Sequence, residues 1–212
     1  AGAINGALIS FAGLNPIVIT LGFLAVWGGV ALVLTSGSTL YGFPEAFTGL
    51  GTVSLGPVQG QIVLLILLTI VAWWVLNRLP LGRQVLAIGG SNRVAFLMGI
   101  RVRAIKFGLF VFAGAMAGVA GVMLAAKLQA SPPTVGAGLE LRALTVVLLG
   151  GVAFAGGIGR VGGVISGLLF VGVLSNGLII IGVSQFIQQV IIGLALVVAV
   201  ILDGSVRRFV TA

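Results

Sequence analysis

Six stretches of this chain run for seventeen residues or more without a charged side chain: 16–34, 61–77, 107–126, 143–159, 161–181 and 185–202. A helix that crosses the hydrocarbon core of a bilayer needs about 20 apolar residues. Between these runs the chain is short, polar or rich in glycine and proline. Such a pattern allows few folds. An average soluble domain is about 25% charged, whereas this chain is 7% charged and 59% hydrophobic, with a mean hydropathy of +1.31. A transmembrane β-barrel would show alternating segments of about ten residues, and these runs are continuous. The expected fold is an all-α, polytopic transmembrane helical bundle of about six complete spans.

Glycine supports a packed bundle. The chain has 35 glycines, and small residues let membrane helices approach backbone to backbone. Gly2-Ala3-Ile4-Asn5-Gly6, Gly114-xxx-Gly118 and Gly163-xxx-Gly167 are spaced for such contacts. The segment Ala1 to Leu14 is apolar but too short to span, and no initiator methionine or basic signal peptide precedes it. The expectation is a single transmembrane domain over residues 1–212, truncated at its N-terminus within a first, partial span.

Arg78 to Lys106 sets the orientation. It holds six of the eleven Lys and Arg residues and no acid, and cationic connections stay on the cytoplasmic side. With this loop inside, four spans follow, so the tail with Arg207 and Arg208 also falls inside, as does Arg160. Lys127 and Arg142 fall outside, beside Glu140. Trp73 and Trp74 lie near the cytoplasmic end of the second span, where aromatic side chains collect. The loop contains a short helix in outline. Ser91 or Asn92 caps its start, Val94 to Met98 form its body, and Gly99 takes the left-handed position after its end. Gly89 and Gly90 are expected to turn the chain sharply before it. A helix of under two turns is marginal alone, so it requires a packing partner. On the other side, residues 36–61, with Pro44, Glu45 and Pro57, read as a loop carrying a short surface helix.

The net charge of +8 does not point to nucleic acid, because orientation accounts for the basic residues. With no cysteine or histidine, disulfides, thiolate chemistry and the commonest metal ligands are excluded, and no metal site is expected. The three acids, Glu45, Glu140 and Asp203, lie at or beyond the membrane surfaces. Proton- or sodium-coupled transport normally places ionisable groups in the core. No GxxxxGK[ST] phosphate loop is present, so uphill transport needs energy from another polypeptide. The run Gly150 to Gly159 has glycine spacing like a dinucleotide fingerprint but lacks the strand–helix context that motif needs. It reads instead as a broken or tightly packed helix, and irregular backbone at membrane depth belongs where protein buries it or it lines a cavity. Asn5, Asn176, Gln188 and Gln189 are neutral polar side chains in or near spans. They suit either interhelical hydrogen bonds, worth about 0.6 kcal/mol each, or contact with a neutral polar solute such as a sugar.

Five stretches in order carry a family resemblance: INGALISFAGLNPIVITLG from Ile4, ALVLTSGSTLYGFPEAF from Ala31, LGRQVLAIGGSNRVAFLMGIRVRAIK from Leu81, GAGLELRALTVVLLGGVAFAGGIGRVGG from Gly136 and SNGLIIIGVSQFIQQVIIGLALVVAV from Ser175. Together they resemble the permease subunit of bacterial ABC importers for monosaccharides, the ribose-type group, related to branched-chain amino acid permeases. Arg142 and Arg160 depart from that family's pattern. The resemblance implies a multi-pass protein of the bacterial inner membrane, without catalysis or cofactor of its own. It implies a second permease subunit, identical or different, a solute-binding protein and a cytoplasmic ATPase that binds the ATP. It further implies that residues 78–106 are the coupling loop, with Gly89, Gly90, Asn92, Phe96, Gly99 and Ile100 at the ATPase contact. The expected function is import of a ribose-like sugar by alternating access. The alternatives are import of autoinducer-2 or branched-chain amino acids, a passive channel, or a structural scaffold.

Overall fold

A computed structural model describes residues 1–56, 58–154 and 156–210. It contains ten helices and one short hairpin in this order: α1 Gly2–Ser10, α2 Pro16–Thr35, α3 Glu45–Thr52, β1 Ser54–Leu55, β2 Val58–Gln59, α4 Gly60–Arg78, α5 Pro80–Gly90, α6 Asn92–Leu97, α7 Val102–Leu128, α8 Leu139–Leu149, α9 Val161–Ile180 and α10 Gln185–Val210. Four described helices are long and apolar enough to cross a membrane: α2, α4, α7 and α9. The stretch Gln185–Ile201 of α10 is a shorter apolar helix. The chain packs as two compact units: residues 1–71 with 99–137, and residues 72–98 with 138–212.

Helix boundaries follow local chemistry. Asn15 opens α2 by accepting the Ile17 amide at 2.9 Å, and Pro16 sits at the first helical position, where its missing N–H costs nothing. The loop reading of residues 36–61 holds. Pro44 precedes α3, and Glu45 lies in its first turn, where a carboxylate complements the helix dipole. Gly56, at φ +66°, turns the antiparallel hairpin that follows. Leu79, extended as a residue before proline must be, separates α4 from α5. Gly182 closes α9. Its amide reaches the Ile179 carbonyl at 3.0 Å and Val183 reaches Leu178 at 2.9 Å, the paired bonds of a glycine-terminated helix.

In the first unit α1 lies across α7. The two backbones nearly touch: a Cβ on Gly2 would come within 2.9 Å of the Gly114 Cα, and one on Gly6 within 2.9 Å of the Phe110 Cβ. The rings of Phe11 and Phe107 meet at 5.6 Å. At the far end of α7, Gly51 of α3 fits against Ala126 and Lys127, and Ala126 is fully buried. The Gln61 amide donates to the Met123 carbonyl at 3.4 Å. Leu40 and Ser131 join their two connections through a pair of backbone bonds of 3.3 and 2.9 Å. α2 and α4 bury none of their own residues within the chain, which leaves their surfaces for lipid or for a partner.

In the second unit α8 packs on α9 and α10. Gly167 lies against the Val146 carbonyl, and a Cβ on Gly150 would come within 2.7 Å of the Gly163 carbonyl. The fourth expected span, Ala143 to Gly159, is corrected here. The helix is α8, which begins four residues earlier and stops at Leu149. Gly151, at φ +75°, ends it: its amide bonds Leu148 at 2.9 Å while Val152 bonds Val147 at 3.2 Å. Three other boundaries shift. α7 starts at Val102 rather than Phe107. α10 runs on through the expected tail to Val210. Gly89 and Gly90 are the last residues of α5, and the turn falls on Ser91 instead.

Candidate functional site

The basic connection between α4 and α7 folds as two consecutive helices sharing one pivot residue. Ser91, extended at φ −160° and ψ 115°, ends α5 and caps α6. Its Oγ accepts the Val94 amide at 3.4 Å, and its carbonyl accepts the Ala95 amide at 3.0 Å. After Met98, Gly99 takes φ +79°, the left-handed turn expected from the sequence. Ile88 of α5 and Ala95 of α6 are buried. The opposite surface of α6 is bare: Phe96 is 69% exposed, Leu97 76% and Met98 72%. Three consecutive large apolar side chains in water are unusual, and contiguous exposed apolar surface marks interaction sites.

Of the residues expected at the ATPase contact, Asn92, Phe96 and Gly99 are exposed, so a partner can reach them. Ile100 is half-buried and follows the turn into α7. Gly89 faces inward: it meets Gly156 and Gly157, both left-handed at φ +89° and +81°. The sequence reading omits Leu97 and Met98. Their signal is the unbroken Phe-Leu-Met run inside a cationic loop.

The expected solute-pathway residues fall in different places. Asn5 belongs to the first unit, whereas Asn176, Gln188 and Gln189 belong to the second. The Asn5 Oδ1 is buried without a hydrogen-bond partner, as is the Ser10 Oγ. A buried polar atom left unpaired costs about 1–3 kcal/mol, and both atoms lie on α1, which packs on α7. Gln188 is buried, and its amide donates to the Val183 carbonyl at 2.9 Å. It braces the turn between α9 and α10. Gln189 is exposed, and its amide nitrogen lies beside Gly138 at the start of α8. Asn176 is exposed on α9.

The start of α8 is already occupied. The Gly138 amide donates to the Glu140 carboxylate at 3.3 Å, so a negative charge of the chain's own sits where the helix dipole would attract an anion. At 1.5 Å per residue the eleven residues of α8 cover about 17 Å, roughly half the hydrocarbon thickness. After it, residues 150–154 and 156–160 are outside any helix until α9 begins at Val161. Among the described residues no cluster of acids suited to a metal ion occurs.

Long apolar helices, a helix pair with an exposed apolar tip and a helix cut short by glycine are the features of a polytopic membrane protein. The chain belongs to the family described as branched-chain amino acid transport system / permease component, which matches residues 1–200. It is 36% identical over 207 residues to the D-allose transport system permease protein of Escherichia coli K12, covering 98% of this chain and 64% of that protein. It is 37% identical over 201 residues to the ribose import permease of Bacillus subtilis 168, covering 94% and 62%. The autoinducer 2 import system permease of Photorhabdus laumondii is 33% identical over 210 residues, covering 98% and 62%. The chain thus spans under two thirds of the length of these relatives. No solved structure matches it. Family and helices together make it a multi-pass protein of the bacterial inner membrane.

Proposed function

We propose that this chain is the membrane-spanning part of a permease subunit in an ATP-driven importer for a monosaccharide of the ribose or allose type. The exposed tip of α6 carries the reading. Phe96, Leu97 and Met98 project from a helix capped at both ends, and they dock in a cytoplasmic ATPase. Coupling residues Asn92, Gly99 and Ile100 frame that contact, while Gly89 and Gly90 hold α5 behind it. Nucleotide is bound by the ATPase and none by this chain. A second permease subunit covers the apolar surfaces left by α2 or α4, and lipid covers the rest. A solute-binding protein delivers its load at the connections 36–61 and 127–142.

The chemistry favours a neutral solute. Glu140 fills the start of α8, so an amino-acid carboxylate would meet repulsion there. Within the second unit, the exposed Gln189 and Asn176 offer amide groups suited to hydroxyls. ATP binding draws the ATPases together, the α6 tips follow, and the helices rock between outward and inward openings. The sugar-type relatives support the sugar. The autoinducer 2 relative keeps that solute as the second reading.

The test is purification of the full-length permease with its candidate ATPase, followed by uptake into vesicles. The wild type is expected to retain the ATPase and to take up ribose or allose in preference to leucine or autoinducer 2. The inserted Phe96→Asp/Gly99→Trp double variant is expected to lose the ATPase. A wild type that binds no ATPase, yet passes solute down its gradient, would make this a channel.

A further inference from the structure

We propose that the end of α5 and the turn 153–158 move as one piece, joined backbone to backbone at Gly89 and Gly157, and so carry motion of the α6 tip to α8 and α9. The proposal deepens the docking reading above and rests on it.

The joint contains no side chain. A Cβ on Gly89 would overlap the Gly157 nitrogen and lie 3.1 Å from its Cα. From the other side, a Cβ on Gly156 would come within 2.7 Å of the Gly89 carbonyl, and one on Gly157 within 2.9 Å of the Gly90 Cα. Close-packed interiors compress little and transmit strain. Two backbones in direct contact leave no flexible layer between them.

Both sides of the joint are braced. Behind α5, Ser91 bonds α6, and Ile88 and Ala95 are buried. Within the turn, the Ala153 amide donates to the Ile158 carbonyl at 3.0 Å and the Gly156 amide to the Ala153 carbonyl at 2.9 Å. Ala153 is itself buried. The turn then leads a few residues either way into the crossing of Gly150 with Gly163. A push on α6 therefore has a continuous path to the broken half-span.

Two helical glycines make the test. Gly89 belongs to α5 and Gly172 to α9, and alanine is the better helix former at either. A Cβ on Gly172 meets nothing within 4 Å, whereas one on Gly89 meets the turn. Each alanine variant of the full-length permease would be assembled with its ATPase, second permease subunit and binding protein in liposomes. Gly89→Ala is expected to retain the ATPase and hydrolyse ATP, with sugar uptake per ATP reduced several-fold. Gly172→Ala is expected to behave as wild type. Equal coupling in the two variants would overturn the joint.

A second measurement decides the matter should Gly89→Ala not fold. The chain has no cysteine, so the exposed Val94 of α6 and Ile158 of the turn can each be replaced by cysteine and spin-labelled. The distance between the two labels is expected to be the same with and without ATP. A distance that changes between the two states would show that the parts slide, and the proposal falls. A wild type that retains no ATPase sinks the docking reading, and this proposal with it, whatever the glycine variants do.

Discussion

α7 passes through its closest helix contact without interruption, whereas α8 stops at its own. Gly114 touches Gly2 of α1 near the middle of a 27-residue helix. Gly150 touches Gly163 of α9 and stands at the end of an eleven-residue helix. Close approach alone therefore does not break a helix. Nor does a glycine pair, since Gly28 and Gly29 lie inside α2. The difference is density: five glycines fall between Gly150 and Gly159. Each costs a helix about 1 kcal/mol against alanine, and five in ten residues leave too little to sustain one. Gly151, Gly156 and Gly157 then adopt left-handed conformations that other residues avoid. One region is built to be stiff, the other to bend and receive contacts.

The comparison can be broken most forcefully at Gly163. A branched side chain there strikes the Gly150 carbonyl, so Gly163→Val is expected to cost about 3 kcal/mol, the upper end of the usual overpacking range. Thermal unfolding of the purified permease would read this as a fall of several degrees, and an unchanged midpoint would mean that α8 and α9 do not touch. The next effect tests the break directly. Gly151→Ala meets open space, yet forces a Cβ into a left-handed site and is expected to cost about 1–2 kcal/mol. Gly118→Ala in α7 also meets open space and is expected to stabilise by up to about 1 kcal/mol. Effects of the same sign in the two would erase the distinction between the helices. The smallest effect is Gln61→Leu, which removes one bond to α7. The expected loss is about 0.6 kcal/mol, at the edge of detection by the same melts.

Much of this was legible from charge and glycine placement. Charge-free runs located α2, α4 and α9 closely, because a bilayer requires a similar length of each, whereas α7 begins five residues earlier and takes Arg103 and Lys106 into its first turns. Ser91 and Gly99 announced α6, because capping is local chemistry. The Gly150–Gly159 run announced irregular backbone. Where α8 stopped was not legible: glycine permits a left-handed turn without requiring one, and the choice of Gly151 depends on Gly163 and Gly167 across the crossing. Gly89 was misread for the same reason. Its neighbour, Gly157, lies far along the chain, and no local pattern reveals it. For the pathway residues, composition offered Gln188 and Gln189 as equals. Only their opposite placement, one bonded to Val183 and the other beside Gly138, separates them.

The contact of Gly2 with Gly114 has a consequence in time. About 110 residues of chain separate the two glycines, and at roughly 5–20 residues per second a ribosome takes on the order of ten seconds to supply them. Helices themselves form in about a microsecond. α1 is therefore complete, and waiting in lipid, for millions of its own folding times before α7 emerges to receive it. Its composition suits the wait, since Asn5 and Ser10 are its only polar side chains. A seam begun by the first helix of the unit therefore waits for one of its last.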